Sequence, residues 1–183
     1  MSLLLPCVFA RRSEGWTGET RLPPVLTNVF AVVTAFTAAH SITLALAAFG
    51  VLRLPTSLTE GAIALSVLFA ALNNVWPLTT RNRSGMAFGF GLFHGFGFAS
   101  VLGELGLPAG ARLLALVGFN AGVEVGQLSI VAVALSLGYP MRGLEFSRRA
   151  VISGGSLAIA GIAVWWFALR SGLVAALAGV LPR

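Results

Sequence analysis

Phe88-Gly89-Phe90-Gly91-Leu92-Phe93-His94-Gly95-Phe96-Gly97-Phe98-Ala99 is apolar throughout except for the histidine at its centre. Phenylalanines alternate with glycines, so large rings lie beside bare backbone. As an isolated helix in water the stretch would lose about 1 kcal/mol per glycine relative to alanine. In a bilayer the same composition has a use. Glycine lets neighbouring helices approach closely, and the rings fill the space around them. A histidine at that depth is costly, which makes His94 a candidate functional residue.

The rest of the chain agrees with this reading. Hydrophobic residues are 57% of the 183, charged residues 10%, and the mean hydropathy is +0.90. A soluble domain carries about a quarter charged residues. The expected fold is therefore all-α, a polytopic integral membrane bundle with the lipid bilayer as its partner. All 12 basic side chains are arginine and all 6 acidic ones glutamate. The net charge of +6 is explained by arginines retained in loops, with no basic face to track a nucleic acid. The single cysteine, Cys7, excludes an intrachain disulfide and a thiolate cluster.

Outward from the central stretch, Pro and Gly divide the chain into five expected spans, over 25–52, 57–76, 85–105, 111–138 and 150–169. Residues 1–24 read as the remnant of a preceding helix, too short to cross, followed by a polar linker that Pro23-Pro24 closes. The basic run at Arg11-Arg12 follows the apolar residues, which is the reverse of a signal peptide. Residues 170–183 read as a short apolar tail. Eight arginines (11, 12, 21, 81, 83, 142, 148 and 149) fall on one side and four (53, 112, 170 and 183) on the other. The richer side is assigned to the cytoplasm. The loop over 139–149 then lies inside and the C-terminus outside.

Polar residues within the spans define the candidate site. At 1.5 Å per residue, His40 and His94 each fall roughly 15 Å below the outer ends of their helices, Asn120 roughly 14 Å and Glu124 roughly 20 Å. Asn120, Glu124 and Gln127 share one helical face; Thr37 and Ser41 share another, and His40 adjoins it. A carboxylate at mid-membrane must pair, protonate or bind a cation. Two imidazoles and a carboxylate suit zinc, nickel, iron or copper, and they also suit a proton relay. Taken singly, each histidine also serves as an ordinary hydrogen-bond donor between helices. Asn120 and Gln127 read equally as interhelical amides, and Glu60 as an N-terminal helix charge. His40, His94 and Glu124 are expected to point into one space lined by Thr37, Ser41, Glu60, Asn120 and Gln127. Gly91 and Gly95 are expected to pack against Gly118 and Gly122, with Gly126 extending that small-residue row. No serine-nucleophile elbow, phosphate loop or HExxH motif is present.

Three stretches together carry a resemblance: Thr34-Ala35-Phe36-Thr37-Ala38-Ala39-His40-Ser41-Ile42-Thr43-Leu44, the central stretch, and Gly118-Phe119-Asn120-Ala121-Gly122-Val123-Glu124-Val125-Gly126-Gln127. The chain resembles the HupE/UreJ-like bacterial membrane proteins, particularly the branch with an extracytoplasmic N-terminal region. The resemblance implies a bacterial inner-membrane location. It also implies an association with hydrogenase and urease accessory systems, and hence with nickel or another divalent metal such as zinc. Members usually carry an earlier helix with a Gly-x-Asp-His motif, so the expectation is that an Asp-His helix precedes Leu3-Leu4-Leu5-Pro6. They also usually carry a Glu-Asn pair where this chain has Asn73-Asn74, while Glu60 matches the acid at the start of that helix.

Three functions follow as expectations. The first is metal handling or transport, with His40, His94 and Glu124 as ligands or relay. The second is a membrane-embedded metal-dependent hydrolase, and the third a structural accessory protein. The topology is directly testable. A cysteine at Gly143 should resist labelling from outside, and one at Pro108 should react; the reverse pattern would invert the orientation.

Overall fold

The computed structural model describes residues 9–12, 15–18, 22–76, 79, 82–104, 108–138 and 153–171. The expected helix remnant at 3–6, the basic loop at 139–149 and the tail beyond 171 lie outside the described residues. A two-stranded antiparallel hairpin, β1 (Phe9–Arg12) and β2 (Gly15–Gly18), precedes five helices. These are α1 (Leu22–Ala48), α2 (Thr56–Val75), α3 (Arg83–Glu104), α4 (Ala109–Gly138) and α5 (Gly155–Arg170). The two strands fall within the stretch expected to hold the helix remnant and the linker. Phe9 pairs with Gly18 and Arg12 with Gly15.

The helix boundaries have local causes. Pro23 and Pro24 fall in the first turn of α1, where a missing N–H costs nothing. The helix stops at Ala48, short of the expected 52, because Gly50 takes a φ of +74°. Gly50 N–H donates to the Ala47 carbonyl at 3.1 Å and Val51 N–H to the Leu46 carbonyl at 2.9 Å. That paired pattern is a Schellman cap, and glycine allows the left-handed residue it needs. At the end of α2, Asn73 closes the next turn. Its amide donates to the Thr79 carbonyl, and Thr79 N–H donates back to Asn73 Oδ1, both at 2.9 Å. Asn82, at φ 58°, accepts from Gly85 N–H at 3.0 Å and caps α3.

Pro23–Ala48, Thr56–Val75 and Leu113–Ala134 are long and apolar enough to cross a membrane. The five expected helices are present, and among the described residues these three meet the length and apolarity that a span needs. α5 is a shorter apolar helix of 16 residues, and the start of its expected span lies outside the described residues. α3 has 22 residues.

The principal contacts run in the spatial order α4, α1, α3, α2, α5. The closest pair is α1 with α3, and glycine is the reason. A Cβ at Gly91 would strike the Phe36 carbonyl oxygen and meet Ala39 Cβ at 3.0 Å. One at Gly95 would strike Thr43 Oγ1 and the His40 carbonyl. The expected contact of Gly91 and Gly95 with α4 is therefore corrected: these glycines serve α1. Gly118, Gly122 and Gly126 have nothing within 4 Å of a Cβ position, so their row packs against no other helix among the described residues. Leu44 and Ala47 of α1 bury against Leu116 of α4, with Phe96 and Phe119 beside them. On the far side, Asn74 donates to Ser156 Oγ at 3.3 Å and joins α2 to α5. Gly61 lets Phe167 approach α2 to 3.6 Å from a Cβ position.

Backbone cannot yield to a new methyl as a flexible side chain can. Gly91→Ala and Gly95→Ala should each destabilise the protein by about 1–3 kcal/mol. Gly118→Ala and Gly122→Ala should leave stability unchanged or raise it. Thermal unfolding of the detergent-solubilised variants separates the two pairs.

Candidate functional site

His40 lies on the face of α1 that α3 and α4 cover, and it is 1% exposed. Three phenylalanine rings surround its imidazole. Phe36 stacks at 5.9 Å, Phe119 of α4 stacks at 6.0 Å, and Phe98 of α3 presents an edge at 5.8 Å. Neither ring nitrogen has a hydrogen-bond partner among the described residues. A buried imidazole in that state forgoes the compensation that buried polar groups ordinarily find. Asn120, next to Phe119 in the chain, has a buried Oδ1 that also lacks a partner.

His94 is held differently. Its Nε2 lies 3.2 Å from Ser66 Oγ of α2. Phe36 meets its ring edge-on at 5.2 Å, so one phenylalanine of α1 touches both imidazoles. The approach of α3 to α1 at Gly91 and Gly95 produces this arrangement, because those glycines bracket His94 on its helix.

The remaining expected residues divide. Thr37 Oγ1 donates to Gln127 Oε1 at 3.5 Å and links α1 to α4. Ser41 donates to the Thr37 carbonyl one turn back at 2.7 Å, which spends its proton within α1. Glu60 belongs elsewhere: it pairs with Arg170 at 3.4 Å and joins the start of α2 to the end of α5. Arg170 also lies 5.2 Å from the Trp166 ring centroid. Glu124 is exposed on α4, and among the described residues no three histidine, cysteine or acidic side chains gather at metal-binding distances. His40, His94 and Glu124 do not form such a group among the described residues. The covered face of α4 ends at Asn120, Gln127 and Val131, and Glu124 falls outside it.

Ser66, Phe36, Phe98 and Phe119 were not anticipated as site residues. Ser66 had a signal, since it stands alone among the apolar residues of α2's middle turns. The phenylalanines had none beyond their abundance.

Large side chains cover the outside of the helices, with Leu114 at 76% and Trp165 at 67% exposure. Spanning length, apolar outer faces and histidines held inside are the features of a helical membrane protein. The family described as HupE / UreJ protein matches residues 3–170, and the chain belongs to that family. No curated protein and no solved structure matches it.

The unpartnered state of His40 gives a stability test. An apolar residue there removes two unsatisfied polar atoms from an aromatic surrounding. His40→Leu should preserve or raise the melting temperature, whereas an alanine should lower it by opening a cavity.

Proposed function

We propose that this chain is a multi-pass protein of the bacterial inner membrane that handles a divalent transition-metal cation, nickel or zinc, past its two interior histidines. The carrying observation is His40, fully buried with both ring nitrogens unpartnered. A residue that costs stability where it stands is retained for something other than packing. Imidazole is a donor that nickel and zinc accept. Two imidazoles fall short of a closed four-ligand site, which suits a cation in passage as cargo better than one held as a fixed structural ion. The orphaned Asn120 Oδ1 supplies an oxygen donor on the neighbouring helix. The loop over 139–149 faces the cytoplasm in this reading, and the C-terminus lies outside.

Hydrolysis is the weaker reading, because Glu124, the carboxylate suited to activate water, is exposed on α4. A structural accessory role has one observation in its favour, the His94–Ser66 bond between α3 and α2.

Uptake by proteoliposomes tests the proposal. Wild-type protein should load Ni²⁺ or Zn²⁺ against empty-vesicle controls. His40→Ala and His94→Ala should each reduce uptake by roughly tenfold or more, the scale seen when a metal site loses support. Glu124→Gln should cost less than either. Wild-type protein that neither carries metal by mass spectrometry nor transports it would leave the structural reading in place.

A further inference from the structure

The hydrogen bonds at Ser66 determine which nitrogen of His94 carries its proton. Ser66 is 6% exposed, and its Oγ lies 2.7 Å from the Ile63 carbonyl and 3.2 Å from His94 Nε2. A serine has one hydroxyl proton and two lone pairs. Two oxygens at 2.7 Å attract only with a proton between them, and a carbonyl has none to give. The Ser66 proton therefore points at Ile63, along the short helical back-bond that serines make. What Oγ turns towards His94 is a lone pair. Nε2 must then be the donor.

We propose that Ser66 is a positioning residue that fixes His94 as its Nε2–H tautomer, so that Nδ1 is the nitrogen left to accept a proton or a cation. The cation half rests on the function proposed above; the tautomer half stands without it. The arrangement holds in both protonation states of the ring, because the imidazolium also carries a proton on Nε2. It excludes only the tautomer with its proton on Nδ1 alone. Phe36 reinforces the setting by packing against the His94 ring at 5.2 Å, and burial keeps water from competing at Ser66. The same logic is familiar where a hydrogen bond at one imidazole nitrogen sets the role of the other. Here the partner is a helix-bound serine, supplied by α2 to a histidine on α3.

The chain has only two histidines, which makes the tautomer readable by nitrogen NMR. The full chain is labelled with ¹⁵N-histidine, reconstituted in lipid, and recorded without metal; His94→Gln assigns the signals. His94 should show the Nε2–H pattern. Ser66→Ala should mix in the Nδ1–H tautomer, and Ser66→Thr, which keeps the hydroxyl, should restore the wild-type pattern. A wild-type His94 protonated on Nδ1 alone would overturn the proposal, as would a Ser66→Ala spectrum identical to wild type. Adding Ni²⁺ then probes the second half. Broadening centred on Nδ1, weakened roughly tenfold in apparent affinity by Ser66→Ala, supports it, and broadening centred on Nε2 refutes it. Absence of any metal effect on a correctly assigned Nε2–H spectrum would sink the metal reading while leaving the tautomer assignment intact.

Discussion

Close backbone contact between α1 and α3 is the constraint on which the other features depend. Gly91 and Gly95 remove the side chains that would hold the helices apart, and carbonyls of Phe36 and His40 occupy the space. Neither glycine has a conformational reason to be there, since both lie within a regular helix. Their value is proximity. At this separation Phe36 reaches His94, and Phe98 reaches His40. A wider pair would leave each histidine in its own surroundings.

Around that pair the bundle grows in two directions with different chemistry. Towards α2 and α5 the joins are polar and specific: Ser66 with His94, Asn74 with Ser156, Glu60 with Arg170. Towards α4 the join is mainly apolar, a small cluster of Leu44, Ala47 and Leu116 with neighbouring rings. Hydrogen bonds between helices gain modest energy in an apolar medium, but they fix register and rotation more firmly than side-chain packing does. The two sides of the α1–α3 pair are thus set by different rules.

Much of this was legible in the sequence because apolar runs, prolines and glycines act locally. All five helices lie where those signals put them, with shifts such as the early end of α1 at Gly50. Both histidines are interior, as their isolation within apolar runs implied. Partner choice was not legible. Gly91/Gly95 and Gly118/Gly122/Gly126 have the same spacing, yet among the described residues only the first pair meets another helix, and spacing carries no address. Glu124 shows the same limit: its face is shared with Asn120 and Gln127 on paper, but a helix has room for only part of a face under one neighbour. The hairpin at Phe9–Gly18 was hidden because alternation over four residues is too short to stand out beside an apolar run.

Only 11% of the apolar window of α4 is buried, against 39% for α1 and 44% for α2. A side-chain hydrogen bond to α1, from Thr37 to Gln127, is long at 3.5 Å. Packing is therefore unevenly distributed among these helices. Helix α3 is clamped at backbone distance, whereas α4 leans on α1 through a short apolar patch and one weak polar contact. Because Phe119 of α4 forms one wall around His40, the span with the smallest buried share is also a wall of that enclosure.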